Sequence, residues 1–460
     1  MELAFGQEAY GAHFDAFMRH YLTLKTGEIP NVRAVYEAFK AYARSPEIAV
    51  AGVDALVADI HAFAGYYCAM ALAQEPDKEL AAAFQDLREM KVDVAYPFLL
   101  ELYRDYAQSR VSNEEFAGAV RLVEAYVFRR AVCAIPTNSL NKTFATFGRA
   151  LRKDRYLECI QAHLLLLPSY RRFPGDEEFK RELAMRDLYN FPRRSYWLRR
   201  LENHGRKERV PVDEYTIEHI LPQNENLPAR WREALGSDWQ RVQKTWLHTL
   251  GNLTLTGYNA EYSDRPFAEK RDMKGGFKES PLRLNEGLGT LDSWNEANIQ
   301  ARAAQLTEIA AFVWALPSLP TEVLRAYRPQ PERSEVYSLD DHPQLAIGQP
   351  MRSLYEALRK ELLALDPCVT EEFLKLYVAY KAETNFVDVV PQAKRLILSL
   401  NMQFHELHDP KRLANDVTNL GRWGNGDVEV RLSTVDDLLY AMGLIRQAFE
   451  KQMGNGALEP

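Results

Sequence analysis

Through roughly its first two hundred residues this chain repeats apolar side chains at helical spacing, and near residue 204 that rhythm stops. In FDAFMRHYLTL, Phe14, Phe17, Met18 and Tyr21 fall at i, i+3, i+4 and i+7, one stripe of an amphipathic helix. TGEIPNVRAVYEAFKAYARS follows as a turn and a second helix. The same spacing predicts helices at VDALVADIHAFAGYYCAMALA, AAAFQDLREMKV, FLLELYRDYAQS, NEEFAGAVRLVEAYVFRRAVC and DEEFKRELAMRDLY, with turns at Pro46, Pro76, Pro136 and Pro174–Gly175. A helical bundle or array is the expected architecture of residues 1–203.

From 204 to about 318 the chain changes to short apolar pieces, asparagines and glycines, and a second domain is placed there. A proline-marked linker, 319–350, leads to a third region, 351–455. In that region MRSLYEALRKELLAL reads as a helix, VTEEFLKLYVAYKAETNFVDVVPQAKRLILSLNM as a short helix and then strands, and VDDLLYAMGLIRQAFEKQ as a closing helix. Between them, the Gly421, Gly424 and Gly426 turn around Trp423 reads as a hairpin. The fold class expected is mainly α: a helical N-terminal half, a small ββα-metal unit, then a compact α+β domain. At 460 residues the chain exceeds what one core ordinarily holds.

Within the second region, YTIEHILPQ is followed by LGNLTLTGYNAEYSDRPFAEKR, a Glu-His pair with two spaced asparagines downstream. IEHILPQ reads as a short strand ending at Pro222, with Glu218 and His219 at an exposed strand end; LGNLTLT reads as its hairpin partner and the following residues as a turn and helix. This is the layout of an HNH nuclease. Phosphodiester hydrolysis needs a base for the attacking water and a positive charge to offset the one that develops. His219 is the candidate general base, because imidazole titrates near neutral pH. Glu218 and the amide oxygen of Asn259 are candidate ligands for Mg²⁺ or Mn²⁺, hard cations that prefer oxygen. Strand alternation sends neighbouring side chains to opposite faces, so Glu218 is a ligand only if the strand end bends it inward. Asn252 is expected to fix the loop and orient His219, Lys270 to hold a phosphate oxygen, and His248 to act as packing or as a neighbour of the centre.

The net charge of −7 excludes a chain coated in basic residues, so nucleic-acid contact must come from a local patch. Between Arg186 and Arg209 there are eight Lys/Arg against three Asp/Glu, and Arg193, Arg194, Arg199 and Arg200 are the candidate DNA-binding residues. Four scattered cysteines without a CxxC pair argue against a zinc finger or a secreted disulfide scaffold and fit a reducing cytoplasm. No secretory signal and no membrane span is expected.

EYTIEHILPQ, the LG.DW stretch at Leu235 to Trp239, WLHTLGNLTLTGYN, RPFAEKR and W....I..RA together carry a specific likeness. Over about residues 187–317 the chain resembles the C-terminal HNH nuclease domain of the GmrSD-type, modification-dependent type IV restriction enzymes of bacteria. FMRHYLTLKTGEIPNVRAVYEAFKAY and LYNFPRRSYWLRRLEN extend the likeness into the helical part. The resemblance implies a metal-dependent DNA endonuclease of antiviral defence. It also implies an N-terminal ParB-like nucleotide-binding sensor domain whose Asp-Gly-Gln-Gln-Arg-type motif has no counterpart in these residues, so either the sensor is a separate subunit or these residues are a shortened form of such a protein. The last 110 residues or so resemble a small domain of unknown function appended to such nucleases. Two other readings stand beside the first: a DNA-binding or assembly subunit inactive without its sensor partner, and a nuclease directed at RNA.

Overall fold

A computed structural model describes residues 2–137, 139–148, 151–168, 171–328, 337–366, 368–382, 384–418 and 426–453. The turn at Gly421, Trp423 and Gly424 lies outside the described residues. The chain is mainly α and divides into two compact units, the first holding most of residues 1–327 and the second residues 328–460 with two short segments, 136–140 and 168–171.

The helical stripes of the sequence become helices whose ends are set by local chemistry. Helix Asn113–Val132 starts in a capping box in which the Ser112 hydroxyl accepts from Glu115 N and the Glu115 carboxylate accepts from Ser112 N. Pro46 is the first residue of helix Pro46–Ala51, capped by Ser45, and Asp77 caps helix Lys78–Glu89. Phe17 and Tyr21 are buried with Phe63, Tyr67, Leu99 and Phe116 in the interior of these helices.

The change of character at residue 204 is a change of element type inside this first unit. Helix Glu296–Val313 packs on helices Asp176–Met185 and Arg194–Asn203, from the far side of the composition break. Just beyond it, the Trp314 ring stacks on Phe128 at 4.0 Å and its indole N–H donates to the Tyr196 hydroxyl at 2.7 Å. The fully buried Arg129 completes the junction by donating to the Trp314 carbonyl at 2.6 Å.

Strand β1 (Thr216–His219) pairs antiparallel with β2 (Leu253–Thr256), placing Glu218 opposite Thr254 and His219 opposite Leu253. Two short helices follow, Asn259–Tyr262 and Phe267–Asp272, separated by Ser263 with positive φ and by Pro266. A core of Trp231, Trp246, Tyr262, Phe267, Phe277 and Trp294 underlies the hairpin.

In the second unit, six antiparallel strands run in the order β3-β4-β5-β6-β8-β7: β3 Thr370–Phe373, β4 Val378–Lys381, β5 Asn385–Pro391, β6 Leu396–Leu400, β7 Ala414–Asp416 and β8 Val428–Leu432. One apolar core joins helices Arg352–Leu363 and Leu438–Gln452 to this sheet. The short helix expected at VTEEFLKL is instead strand β3, paired with β4 in register Thr370 to Lys381. Glu371 supplies the reason: its carboxylate accepts from Tyr380 at 2.6 Å, Tyr355 at 3.0 Å and the Arg359 guanidinium at 2.8 Å, a long-range network that outweighs local helix propensity.

Candidate active site

Strand β1 delivers Glu218 and His219 to opposite sides of the hairpin, as the pleat requires. Neither lies at an exposed strand end: Glu218 is 3% and His219 4% exposed. Each side is covered by a segment distant in sequence, and the two sides have different chemistry.

On the Glu218 side, helix Phe267–Asp272 brings Lys270 down onto the strand. Its ammonium donates to Glu218 Oε1 at 2.6 Å and to the carbonyls of His219 at 3.2 Å and Ile220 at 3.1 Å, while the side chain is wholly buried. Three donors meet three acceptors, so the cation is saturated. Burial pushes the Glu218 carboxyl up, to about 7, against the pull of Lys270, and burial likewise draws the Lys270 ammonium down against Glu218. The two side chains expected at a phosphate and at a metal are here engaged with each other. Lys270 thereby ties down the end of β1.

On the other side, His219 Nε2 lies 3.0 Å from His248 Nδ1. Tyr189 closes over both rings, meeting His219 edge-on at 4.5 Å and stacking on His248 at 5.2 Å with 13° between planes. Desolvation, followed by the neighbouring His248 and Lys270 charges, lowers the His219 pKa to about 3, so this ring is neutral at neutral pH. His248 itself is half-buried and lines a groove of about 690 Å³ with Gln223, Arg232, Trp239, Gln240 and Lys244.

Asn252, fully buried, staples the two histidine-bearing segments together. Its Oδ1 accepts from Leu221 N at 2.7 Å and Trp294 Nε1 at 3.2 Å; its Nδ2 donates to Leu221 O at 3.0 Å and Leu247 O at 2.9 Å. Leu221 follows His219 by two residues and Leu247 precedes His248 by one. Asn252 therefore fixes the loop, and the hydrogen-bond partner of the His219 ring is His248. Asn259 donates through Nδ2 to Ile217 O at 2.9 Å and Thr216 Oγ1 at 3.2 Å, bonds that do not use its Oδ1.

The two candidate ligands, Glu218 and Asn259, are each engaged within the protein. Among the described residues no group of three or more His, Cys, Asp or Glu is gathered to hold a metal, the Glu218 carboxylate is bonded to Lys270, and Asn259 offers one neutral oxygen.

The basic run divides in two. Arg199 Nη2 sits 2.5 Å from Asp86 and 2.7 Å from Glu89, and Arg200 Nε 2.7 Å from Glu124, so the buried helical acids neutralise both. Arg193 and Arg194 remain exposed. Arg194 donates to the Tyr189 carbonyl at 3.0 Å and lies over its ring at 4.6 Å, which brings it to the histidine pair.

Two further participants escape a reading by sequence alone. Tyr189 carries no signal beyond its place before the arginine run. Arg302, the arginine of W....I..RA, is buried and donates to the carbonyls of Leu250, Gly251, Leu253 and Leu284 at 2.7 to 3.1 Å, holding the turn into β2.

The site is thus a buried histidine on a short hairpin, backed by two small helices, with a second histidine between it and a polar groove. Residues 173–309 match the family model of the GmrSD restriction endonucleases, C-terminal domain, which makes this segment similar to a part of restriction enzymes. Residues 344–452 match a domain of unknown function, DUF5655. An uncharacterized protein of Haemophilus influenzae is 41% identical over 117 residues, which is 25% of this chain. The chain covers 38% of that relative's length.

Proposed function

We propose that this chain is the cutting component of a defence system against foreign DNA, an HNH-type endonuclease that hydrolyses phosphodiester bonds. The observation that carries the reading is His219: a neutral imidazole on the hairpin of a segment similar to restriction endonucleases, hydrogen-bonded to a second imidazole. In this reading the His219 ring takes the proton of the attacking water. Arg193 and Arg194, with Arg232 and Lys244 along the groove, hold the DNA backbone as point charges. A divalent cation, Mg²⁺ or Mn²⁺, belongs to the reading by resemblance, and no step here is derived through it. The proposed division of labour gives 1–203 to scaffolding, 204–318 to cleavage and 351–455 to an accessory role, joined by the 319–350 linker. The expected setting is the cytoplasm, and no described helix is long and apolar enough to cross a membrane.

One observation favours the second reading, a subunit silent until a separate nucleotide-dependent sensor engages it. Glu218 is locked to Lys270 and His219 is almost sealed from solvent, so substrate access requires Tyr189 or its neighbours to move.

Incubating the full chain with supercoiled plasmid and with RNA of matched length, in Mg²⁺ and in Mn²⁺, tests the proposal. Nicking or linearisation of the plasmid supports it. Cleavage of RNA alone moves the activity to RNA, and salt-dependent DNA binding without cleavage moves the chain to the subunit reading.

A further inference from the structure

We propose that His248 is a positioning residue for His219, fixing its tautomer and thereby leaving its Nδ1 as the proton acceptor; this rests on the nuclease reading above. Two imidazole nitrogens 3.0 Å apart cannot both carry a proton, nor can both present lone pairs, so one donates and the other accepts. The direction decides whether His219 can work as a base. If His219 Nε2 carries the proton and donates to His248 Nδ1, the lone pair of His219 is on Nδ1. If the direction is reversed, His219 holds its proton on Nδ1, its lone pair is consumed by His248, and no basic nitrogen remains for water.

His248 is placed to impose the first direction. Its ring is half-buried along a polar groove, where its Nε2–H can be solvated, and a histidine with Nε2 protonated presents the Nδ1 lone pair to His219. The ring does not swing freely. Its own carbonyl accepts from Leu188 N at 2.8 Å, its face stacks on Tyr189, and the preceding Leu247 carbonyl is held by Asn252. Tyr189 is in turn fixed by Arg194 over its ring and on its carbonyl. The result is a continuous path of packing from Arg194 through Tyr189 and His248 to His219. No carboxylate hydrogen bond to the His219 ring is found among the described residues, so His248 performs the orienting task that a carboxylate performs in many hydrolases.

The test compares His248→Phe, which keeps a ring against Tyr189 but has no acceptor, with His248→Asn, whose Oδ1 can take the place of Nδ1. Long-range ¹H–¹⁵N spectra of the full chain report the His219 tautomer directly. The proposal expects Nε2–H on His219 in the wild type and in His248→Asn, and loss of that single tautomer in His248→Phe. It also expects His248→Phe to lower kcat for DNA cleavage on the order of 100-fold or more, with KM little changed and His248→Asn restoring much of the rate. An unchanged His219 tautomer in His248→Phe overturns the inference, whether or not the chain cleaves without a partner. So does a His248→Phe enzyme as fast as wild type beside an inactive His219→Ala. A fully active His219→Ala is a different failure, since it removes the nuclease reading beneath this one while the spectra still report the tautomer.

Discussion

Lys270 Nζ and Glu218 Oε1 meet at 2.6 Å with both side chains out of solvent, and the same ammonium holds the carbonyls of His219 and Ile220. The strand that presents the candidate base is thus anchored by a buried cation. This makes Lys270 a residue of stability before it is one of catalysis.

Lys270→Met leaves a carboxylate buried without its partner and two carbonyls without a donor. Removing one member of a buried pair costs about 3–5 kcal/mol. Urea unfolding is expected to show a loss of that size, and Glu218→Gln combined with Lys270→Met is expected to recover part of it. A Lys270→Met protein as stable as wild type but slow in cleavage contradicts this and returns Lys270 to the phosphate.

The two halves of the basic run are expected to behave differently. Arg200→Ala takes one cation from the buried Glu124, which among the described residues keeps the Tyr196 hydroxyl and Arg121 as partners, so its effect falls on stability, at about 2–3 kcal/mol. Arg232→Glu with Lys244→Glu removes two groove cations for which no ion pair is found among the described residues. DNA affinity measured across a salt series is expected to drop with a shallower slope, by about one for each phosphate that is no longer neutralised. Equal DNA affinity in wild type and the groove double variant places the backbone elsewhere.

Acid weakens the fold through its buried histidines. His219 is shifted from 6.5 to about 3 by desolvation and then by His248 and Lys270, and His20 from 6.5 to about 4 by desolvation and then by Arg19. Below pH 6.5 the unfolded chain takes up protons that the folded one refuses, so stability is full above that value and falls as pH drops toward 3–4. Denaturant midpoints from pH 7.5 to 5 are expected to decline, and less steeply in His20→Gln. A flat profile shows that these rings are not held neutral.

Gly251 sits where a Cβ atom would lie 2.3 Å from the Ile299 carbonyl oxygen, whereas a Cβ at Gly257 meets nothing within 4 Å. Because backbone cannot yield cheaply, Gly251→Ala is expected to cost about 1–3 kcal/mol and Gly257→Ala far less. Thermal melts of the pair check this, and equal melting temperatures contradict the close approach of helix Glu296–Val313 to the turn before β2.

Helices whose stripe and caps are both local, such as Asn113–Val132 with its Ser112 and Glu115, are legible in the sequence because 3.6-residue spacing and capping chemistry act within one segment. The β1–β2 pairing is legible for a similar reason, as two short apolar runs of matching length. What the sequence hides is the partner. Arg199 and Arg200 read as a DNA-facing patch because their neutralising carboxylates, Asp86, Glu89 and Glu124, lie some hundred residues earlier in the chain. Glu218 and His219 read as exposed because nothing near them announces that Lys270 covers one and that Tyr189 and His248 cover the other. His248 itself shows only as a histidine beside LGNLTL, and its importance is a matter of a 3.0 Å approach to the His219 ring.

Base catalysis by His219 is read out by single-turnover cleavage of plasmid DNA by the full chain, wild type beside His219→Ala at matched purity and in Mg²⁺. His219→Ala is expected to lower the rate by about 10²- to 10⁴-fold, the range for loss of a general base, while DNA affinity is retained. Equal cleavage by the two proteins would contradict it.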